Sequence, residues 1–146
     1  VNKVKREVVM QTRRGFLQLL GWAAGVAATV PAWLSHAKSK LVAIKLSQAA
    51  KLKEIGGAAI LKIKGREILF VREEKAVIRA LDPLCTHQKC KVGYNSKKKQ
   101  IECPCHASGF SLDGKVLSGP APKPLTTFQA RLDLEKERIV LTIPEQ

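Results

Sequence analysis

The chain is poor in acidic residues and in aromatics. Asp and Glu number 12 against 26 Lys and Arg in 146 residues, a formal charge of +14. Tyr94 is the one tyrosine, and both tryptophans, Trp22 and Trp33, share an apolar N-terminal stretch with Phe16. Beyond that stretch only Phe70, Tyr94, Phe110 and Phe128 remain, too few for the stacking platforms that hold single-stranded nucleic acid. The positive charge is therefore poor evidence for nucleic acid, and no such partner is expected. No Pro, Gly or Ser block and no internal repeat occurs, and with 45% hydrophobic residues the chain is not compositionally disordered.

What is present divides the chain in two. Gly15 to Leu34 is a run of 20 residues without a formal charge, about 30 Å long as a helix and enough to span a bilayer's hydrocarbon core. Only Gln18 and Thr29 interrupt its apolarity, and Trp33 sits at its outer end, where an indole favours the headgroup boundary. Lys3, Lys5, Arg6, Arg13 and Arg14 precede it against a single Glu7, which keeps the N-terminus cytoplasmic and sends the rest across. Thr12-Arg13-Arg14-Gly15-Phe16-Leu17 resembles a twin-arginine export signal. Ser35-His36-Ala37 would serve as a cleavage site, but the apolar run exceeds the ~7–15 residues of a signal core. We therefore expect a retained anchor. The expected plan is a basic tail over 1–14, a transmembrane anchor over 15–36, a hinge over 37–41 and a folded head over 42–146.

The head reads as β throughout. Leu41–Leu46, Ala58–Lys64, Glu67–Arg72 and Ala76–Leu81 are short strand candidates, broken by Gly56-Gly57, Lys64-Gly65 and Glu73-Glu74-Lys75. Ser47 followed by Gln48–Ile55 suggests a short helical turn with a serine cap. Phe128, Ala130, Leu132 and Leu134 alternate with polar residues, a strand of period two, and Arg138–Ile143 is its expected antiparallel partner. Lys97-Lys98-Lys99 reads as a solvated hairpin tip, the alternative being a docking patch for an acidic partner. The fold class expected is mostly β, a small antiparallel sandwich or barrel carrying a ligand-binding subdomain.

Chemistry concentrates in two segments, Cys85–Cys90 and Cys103–Ser108, which hold all four cysteines and, as His87 and His106, two of the three histidines. Three readings compete. Two disulfides in an exported head would leave both histidines without a purpose. A structural zinc site could use Cys85, His87, Cys103 and His106, but it leaves a second cysteine in each segment unexplained. A 2Fe-2S centre ligated by two thiolates and two imidazoles, with the two remaining cysteines joined in a disulfide between the segments, finds a use for every one of them.

These segments resemble the Rieske signatures C-T-H-x-G-C and C-P-C-H-G-S, with 12 residues between Cys90 and Cys103, and Gly119-Pro120-Ala121-Pro122 resembles the family's proline loop. The chain most resembles the Rieske iron–sulfur subunit of bacterial quinol–cytochrome c reductases, the cytochrome bc complexes. The resemblance implies a Rieske 2Fe-2S cluster with Cys85 and Cys103 on the buried iron and His87 and His106 on the outer one. It implies a Cys90–Cys105 disulfide clamping the two loops, and a Ser108 hydroxyl bonded to a bridging sulfide. His106, with His87, would meet quinol and take its proton, and the head would pass the electron to a c-type cytochrome after swinging from a cytochrome b-type subunit. Localisation would be the cytoplasmic membrane, single-pass, with the head on the periplasmic side. Twin-arginine export fits a cluster inserted where thiols stay reduced and a disulfide closed afterwards, on the oxidising side.

Four positions depart from the pattern. Phe110 replaces a tyrosine that bonds a ligand cysteine in ubiquinol-type members, which implies a lower potential and menaquinol as the substrate. Gln88 replaces a leucine, and Lys89 and Ala107 each replace a glycine, making the tip more polar than the apolar crater of a cytochrome b would favour. The alternative is the Rieske small subunit of a periplasmic molybdenum oxidase such as arsenite oxidase, relaying electrons without touching quinol; a structural zinc-binding module is the remote third.

Overall fold

The computed structural model describes residues 39–144. The expected tail over 1–14 and transmembrane anchor over 15–36 lie outside the described residues, as do the first two residues of the expected hinge. Among the described residues no helix is long and apolar enough to cross a membrane.

Among the described residues there are ten strands: β1 (Ser39–Lys45), β2 (Ala58–Ile63), β3 (Arg66–Arg72), β4 (Ile78–Leu81), β5 (Gly93–Asn95), β6 (Gln100–Glu102), β7 (Gly109–Phe110), β8 (Val116–Ser118), β9 (Thr127–Asp133) and β10 (Arg138–Pro144). They form a six-stranded sheet in the order β1-β10-β9-β4-β3-β2 and a four-stranded sheet in the order β5-β6-β7-β8. Every pairing is antiparallel. The second sheet is an insertion: the chain leaves the first at the end of β4, builds β5 to β8, and returns as β9 beside β4.

The weld between the two parts is β3. Its run Ile68-Leu69-Phe70-Val71 is apolar at every position and buried at every position, the signature of a strand covered on both faces. Alternation divides it. Ile68 and Phe70 pack with Ile44, Leu52, Ile78, Ile139 and Leu141 in one core. Leu69 and Val71 pack with Leu81, Ile101, Phe110, Cys85 and Cys103 in the other. The second core holds both expected cysteine ligands, so the inserted subdomain is seated on the back of the main sheet.

Several strand boundaries differ from expectation for identifiable reasons. β1 begins at Ser39 because Ser39, Lys40 and Leu41 pair with Pro144, Ile143 and Thr142 of β10, which takes these three residues out of the expected hinge. β4 begins at Ile78 because Glu73–Val77 closes a turn, with the Val77 N–H donating to the Glu74 carbonyl. The alternation of β9 stops at Asp133; Leu134 starts the turn into β10 and is 41% exposed. The expected serine-capped turn is instead two short 3₁₀ turns, Leu46–Gln48 and Ala50–Lys53, with Lys45 and Ala49 at their N-caps and no side-chain cap bond. They bury Leu46 and Leu52 in the first core.

What holds the second turn is Arg72, the last residue of β3, only 8% exposed. Its Nη1 donates to the carbonyls of Leu52 at 3.2 Å and Lys53 at 2.6 Å, and its Nη2 to that of Lys75 at 2.8 Å. The guanidinium thus supplies donors to carbonyls left without partners by a short turn and a tight bend. Replacing Arg72 by Met keeps the aliphatic stem and removes these donors. With buried carbonyls unpaired at about 1–3 kcal/mol each, partly relieved by water, Arg72→Met should lower stability by about 2–4 kcal/mol in urea unfolding followed by circular dichroism.

Candidate metal centre

The two expected ligand segments are hairpin tips on the inserted subdomain. The first, loop 1, runs from Cys85 to Cys90. Its base is closed by a bridge between Leu84 and Lys91 and by the Val92 N–H donating to the Pro83 carbonyl at 2.8 Å. Within it the Cys85 N–H donates to the Cys90 carbonyl at 2.8 Å, and the Lys89 N–H to the Cys85 carbonyl at 2.9 Å. The second, loop 2, connects β6 to β7 and is closed by the Cys103 N–H donating to the Ser108 carbonyl at 2.8 Å. In each loop one cysteine stands at the base of the hairpin, inside the core, and a histidine follows towards the tip. Cys85 and Cys103 are 1% and 2% exposed, with free thiols, while His87 is half-buried and His106 exposed.

The structure brings these residues together. The rings of His87 and His106 meet edge to face, centroids 4.8 Å apart. Cys90 and Cys105 are joined in a disulfide that ties one loop to the other, and the Cys103 Sγ lies within 4.8 Å of both its sulfurs. Because Cys90 and Cys105 are consumed by that bond, Cys103 cannot share a metal ion with them. The donors left for a metal are the free thiols and the imidazoles.

One imidazole carries a distinct mark. The His87 Nδ1 is buried and has no hydrogen-bond partner. An orphaned buried nitrogen costs about 1–3 kcal/mol, and ligation of a metal removes the cost. A buried free thiol in each loop, an imidazole in each loop and an orphaned ring nitrogen form a donor set that suits a mixed Cys/His iron–sulfur centre.

A third segment closes over loop 2. Gly119 has φ +88°, and a Cβ there would sit 2.6 Å from the Ser108 Cα, so only glycine lets the Gly119–Pro122 segment pass so close. The Ala121 N–H then donates to the Ser108 Oγ at 3.2 Å. Ser108 is fully buried, and as an acceptor from Ala121 it keeps its own proton to donate elsewhere. On the other side the Thr86 hydroxyl donates to the Lys123 carbonyl at 2.6 Å, tying the proline segment to loop 1 as well. Both contacts escape a reading of the sequence, because their partners lie 13 and 37 residues apart.

The two glycine replacements at the tip have a conformational cost. Lys89 and Ala107 adopt φ of 58° and 55°, the left-handed region that costs an L-residue about 1–2 kcal/mol. Lys89→Gly and Ala107→Gly should each raise stability by about 1 kcal/mol, read as a higher urea midpoint with an unchanged slope. Gly119→Ala should act in the opposite sense by driving the proline segment off Ser108.

Comparison with known proteins agrees with this geometry. Residues 42–129 match the Rieske [2Fe-2S] domain model. The chain is 33% identical over 102 residues to the cytochrome b6-f complex iron-sulfur subunit 1 of Nostoc sp., an alignment covering 68% of this chain and 56% of that protein. It is 27% identical over 138 residues to the cytochrome b6-f complex iron-sulfur subunit of Chlorobaculum tepidum, covering 90% and 75% respectively. Among solved structures it is similar to the cyanobacterial plasma membrane Rieske protein PetC3 from Synechocystis PCC 6803, with a TM-score of 0.54 and 30% identity, over 63% of this chain and 91% of that one. The chain spans little more than half the length of the Nostoc relative. Taken with two hairpin tips that present a free thiol and an imidazole apiece, the match over 42–129 means that the chain belongs to the Rieske [2Fe-2S] domain family, whose cofactor is a 2Fe-2S cluster.

Proposed function

We propose that this chain carries electrons singly from quinol, menaquinol in particular, to a c-type cytochrome, as the Rieske subunit of a membrane complex with a cytochrome b-type partner. Alone it is not a catalyst; the oxidoreductase is the complex. The observation that carries the reading is the pair of disulfide-tied hairpin tips, each with a buried free thiol and an imidazole, one imidazole nitrogen being buried without a partner. When bound, the cluster supplies a one-electron acceptor whose potential is raised by imidazole ligands in place of two thiolates.

The chain's own residues do the rest. Cys85 and Cys103 would hold one iron of the cluster through their buried free thiols. His87 and His106 would hold the other iron. His106, the exposed one, offers its outer nitrogen to a quinol hydroxyl and takes up the proton. The Ala121 N–H fixes the Ser108 oxygen, which leaves the hydroxyl proton available for a cluster sulfur, and such a bond would raise the potential. The anchor segment over residues 15–36 holds the head on the periplasmic side of the cytoplasmic membrane. The names of the relatives, subunits of cytochrome b6-f complexes and a plasma membrane Rieske protein, support this assignment.

Substitution of Cys85, His87, Cys103 or His106 by Ala should abolish the electron paramagnetic resonance signal of the reduced cluster and reduce bound iron to background. Cys90→Ser or Cys105→Ser should leave a cluster of shorter lifetime, because the disulfide holds the loops and not the iron. Normal iron content in His87→Ala would sink the ligand assignment. A quinol analogue should shift the spectrum of the complex; a spectrum indifferent to it would favour the molybdenum-oxidase subunit.

Phe110 sits in β7 with no exposure, in the same core as Cys85 and Cys103. Phe110→Tyr should add a hydrogen bond to a ligand thiolate. Such a bond is worth about 1.5–3 kcal/mol; if half of it differs between redox states, the one-electron potential should rise by about 30–65 mV. Ser108→Ala should lower it by a similar amount. Voltammetry reads both, and an unchanged potential with the phenol in bonding distance of a ligand sulfur would remove the menaquinol assignment.

A further inference from the structure

We propose that the histidine-bearing tip is a cationic docking face that selects an acidic redox protein as the acceptor of the electron. This rests on the electron-transfer reading above and specifies its partner. From Leu84 to Leu125 the inserted subdomain carries seven lysines against two acids, Glu102 and Asp113. Glu102 offsets Lys98, with which it pairs at 2.9 Å, and Lys91 pairs with Glu67 of β3 at 2.9 Å, so five lysines, Lys89, Lys97, Lys99, Lys115 and Lys123, stand outside these pairs. The Glu102 carboxylate accepts from Asn95, Lys98 and Gln100, which hold its pKa down to about 2. Asp113 is engaged by Arg79 of β4 at 2.8 Å.

The lysines are placed, not scattered. A groove of about 840 Å³ separates the β5–β6 hairpin from loop 2. One wall carries Lys97 and Lys98, and the other carries Pro104 and Ala107, the latter adjacent in the chain to His106. The hairpin tip is set by the Asn95 Oδ1, which accepts from the N–H groups of Lys97 and Lys98 at 3.1 and 3.2 Å. Two further lysines flank the histidines from other segments. Exposed Lys89 is held beside His87 by its N–H bond to the Cys85 carbonyl, and exposed Lys123 by its carbonyl bond from Thr86. Lysines of loop 1 and the proline segment are thus tied by their backbones to residues within two of His87, and the lysine hairpin walls a groove that reaches the chain neighbour of His106.

An apolar partner could meet this tip only by stripping water from ammonium groups without pairing them, which is costly. A protein with projecting carboxylates would pair them, and its approach would be steered towards the histidines. An anionic bilayer would also attract the lysines, but a flat surface cannot fill a groove walled on both sides. The concavity favours a protein.

The test uses the full chain with its cluster, in detergent, reduced with dithionite and mixed by stopped flow with a strongly acidic soluble c-type cytochrome or with a strongly basic one. The second-order rate for the acidic cytochrome should fall by about tenfold or more between 20 and 300 mM salt, where the Debye length shrinks to a few Å. The rate for the basic cytochrome should rise. The triple variant Lys97→Gln, Lys99→Gln, Lys123→Gln should lower the low-salt rate for the acidic cytochrome about tenfold and flatten its salt dependence, with the cluster's spectrum and potential unchanged. A salt-independent rate, or a triple variant as fast as the parent chain, overturns the docking face while the electron-carrying role stands. A chain with no reducible cluster overturns the electron-carrying role, and the docking face with it. Competition by anionic phospholipid vesicles that the triple variant abolishes would assign the lysines to a lipid surface and overturn the proposal.

Discussion

The double burial of β3 is the constraint on which the rest of the molecule depends. Four consecutive apolar side chains send Ile68 and Phe70 into one core and Leu69 and Val71 into the other. The base sheet and the inserted subdomain are thereby held by one backbone rather than by a sliding interface. Loops on a rigid support hold ligands in place, and both cluster loops rise from the subdomain that β3 underpins. Arg72 extends the arrangement by tying the end of the same strand to the 3₁₀ turn that covers the first core. Each element is short, and none could be stable alone.

On that support the site is assembled from three connecting segments, none of which makes it alone. Loop 1 and loop 2 each offer a thiol and an imidazole, the disulfide prevents the two tips from parting, and the proline segment bonds to both through Thr86 and Ser108. The division of polarity follows from position in the hairpin. The cysteine at each base lies in a core shared with Phe110 and Ile101, and the histidine two or three residues on has left it. Each loop thus offers one donor inside the core and one outside it.

The same tip carries strain and charge. Lys89 and Ala107 occupy left-handed positions that glycine would fill at less cost, and each lies within two residues of an expected histidine ligand. Backbone strain of this kind persists where the surroundings over-determine it, and here the loop hydrogen bonds and the disulfide supply that determination. At Lys89 the strained position presents an ammonium group at the outer edge of the site, where the relatives' pattern has no side chain at all. The structure explains why glycine suits both positions; it does not explain why alanine stands at one of them.

Much of this was legible in the residues themselves. Two Cys/His segments with spare cysteines limit the chemistry to a few readings, because thiolate and imidazole together suit few ions. The period-two pattern of β9 and its pairing with β10 follow from local alternation, as does the lysine hairpin. Other features were not legible. The strands of the inserted sheet are two or three residues long, too short to display a period, and are defined only by their neighbours. Ser47 has the chemistry of a cap but lies inside a turn, because burial of Leu46 and Leu52 sets where the turn begins. Residues 39–41 join β1 because β10 extends far enough to pair with them. Sequence thus determined which groups could bind a cluster, since donor chemistry belongs to single residues. Tertiary structure decided that the Cys90–Cys105 bond closes, that His87 keeps a buried nitrogen unpaired and that the proline segment bonds to both loops, because each is a meeting of groups far apart in the chain.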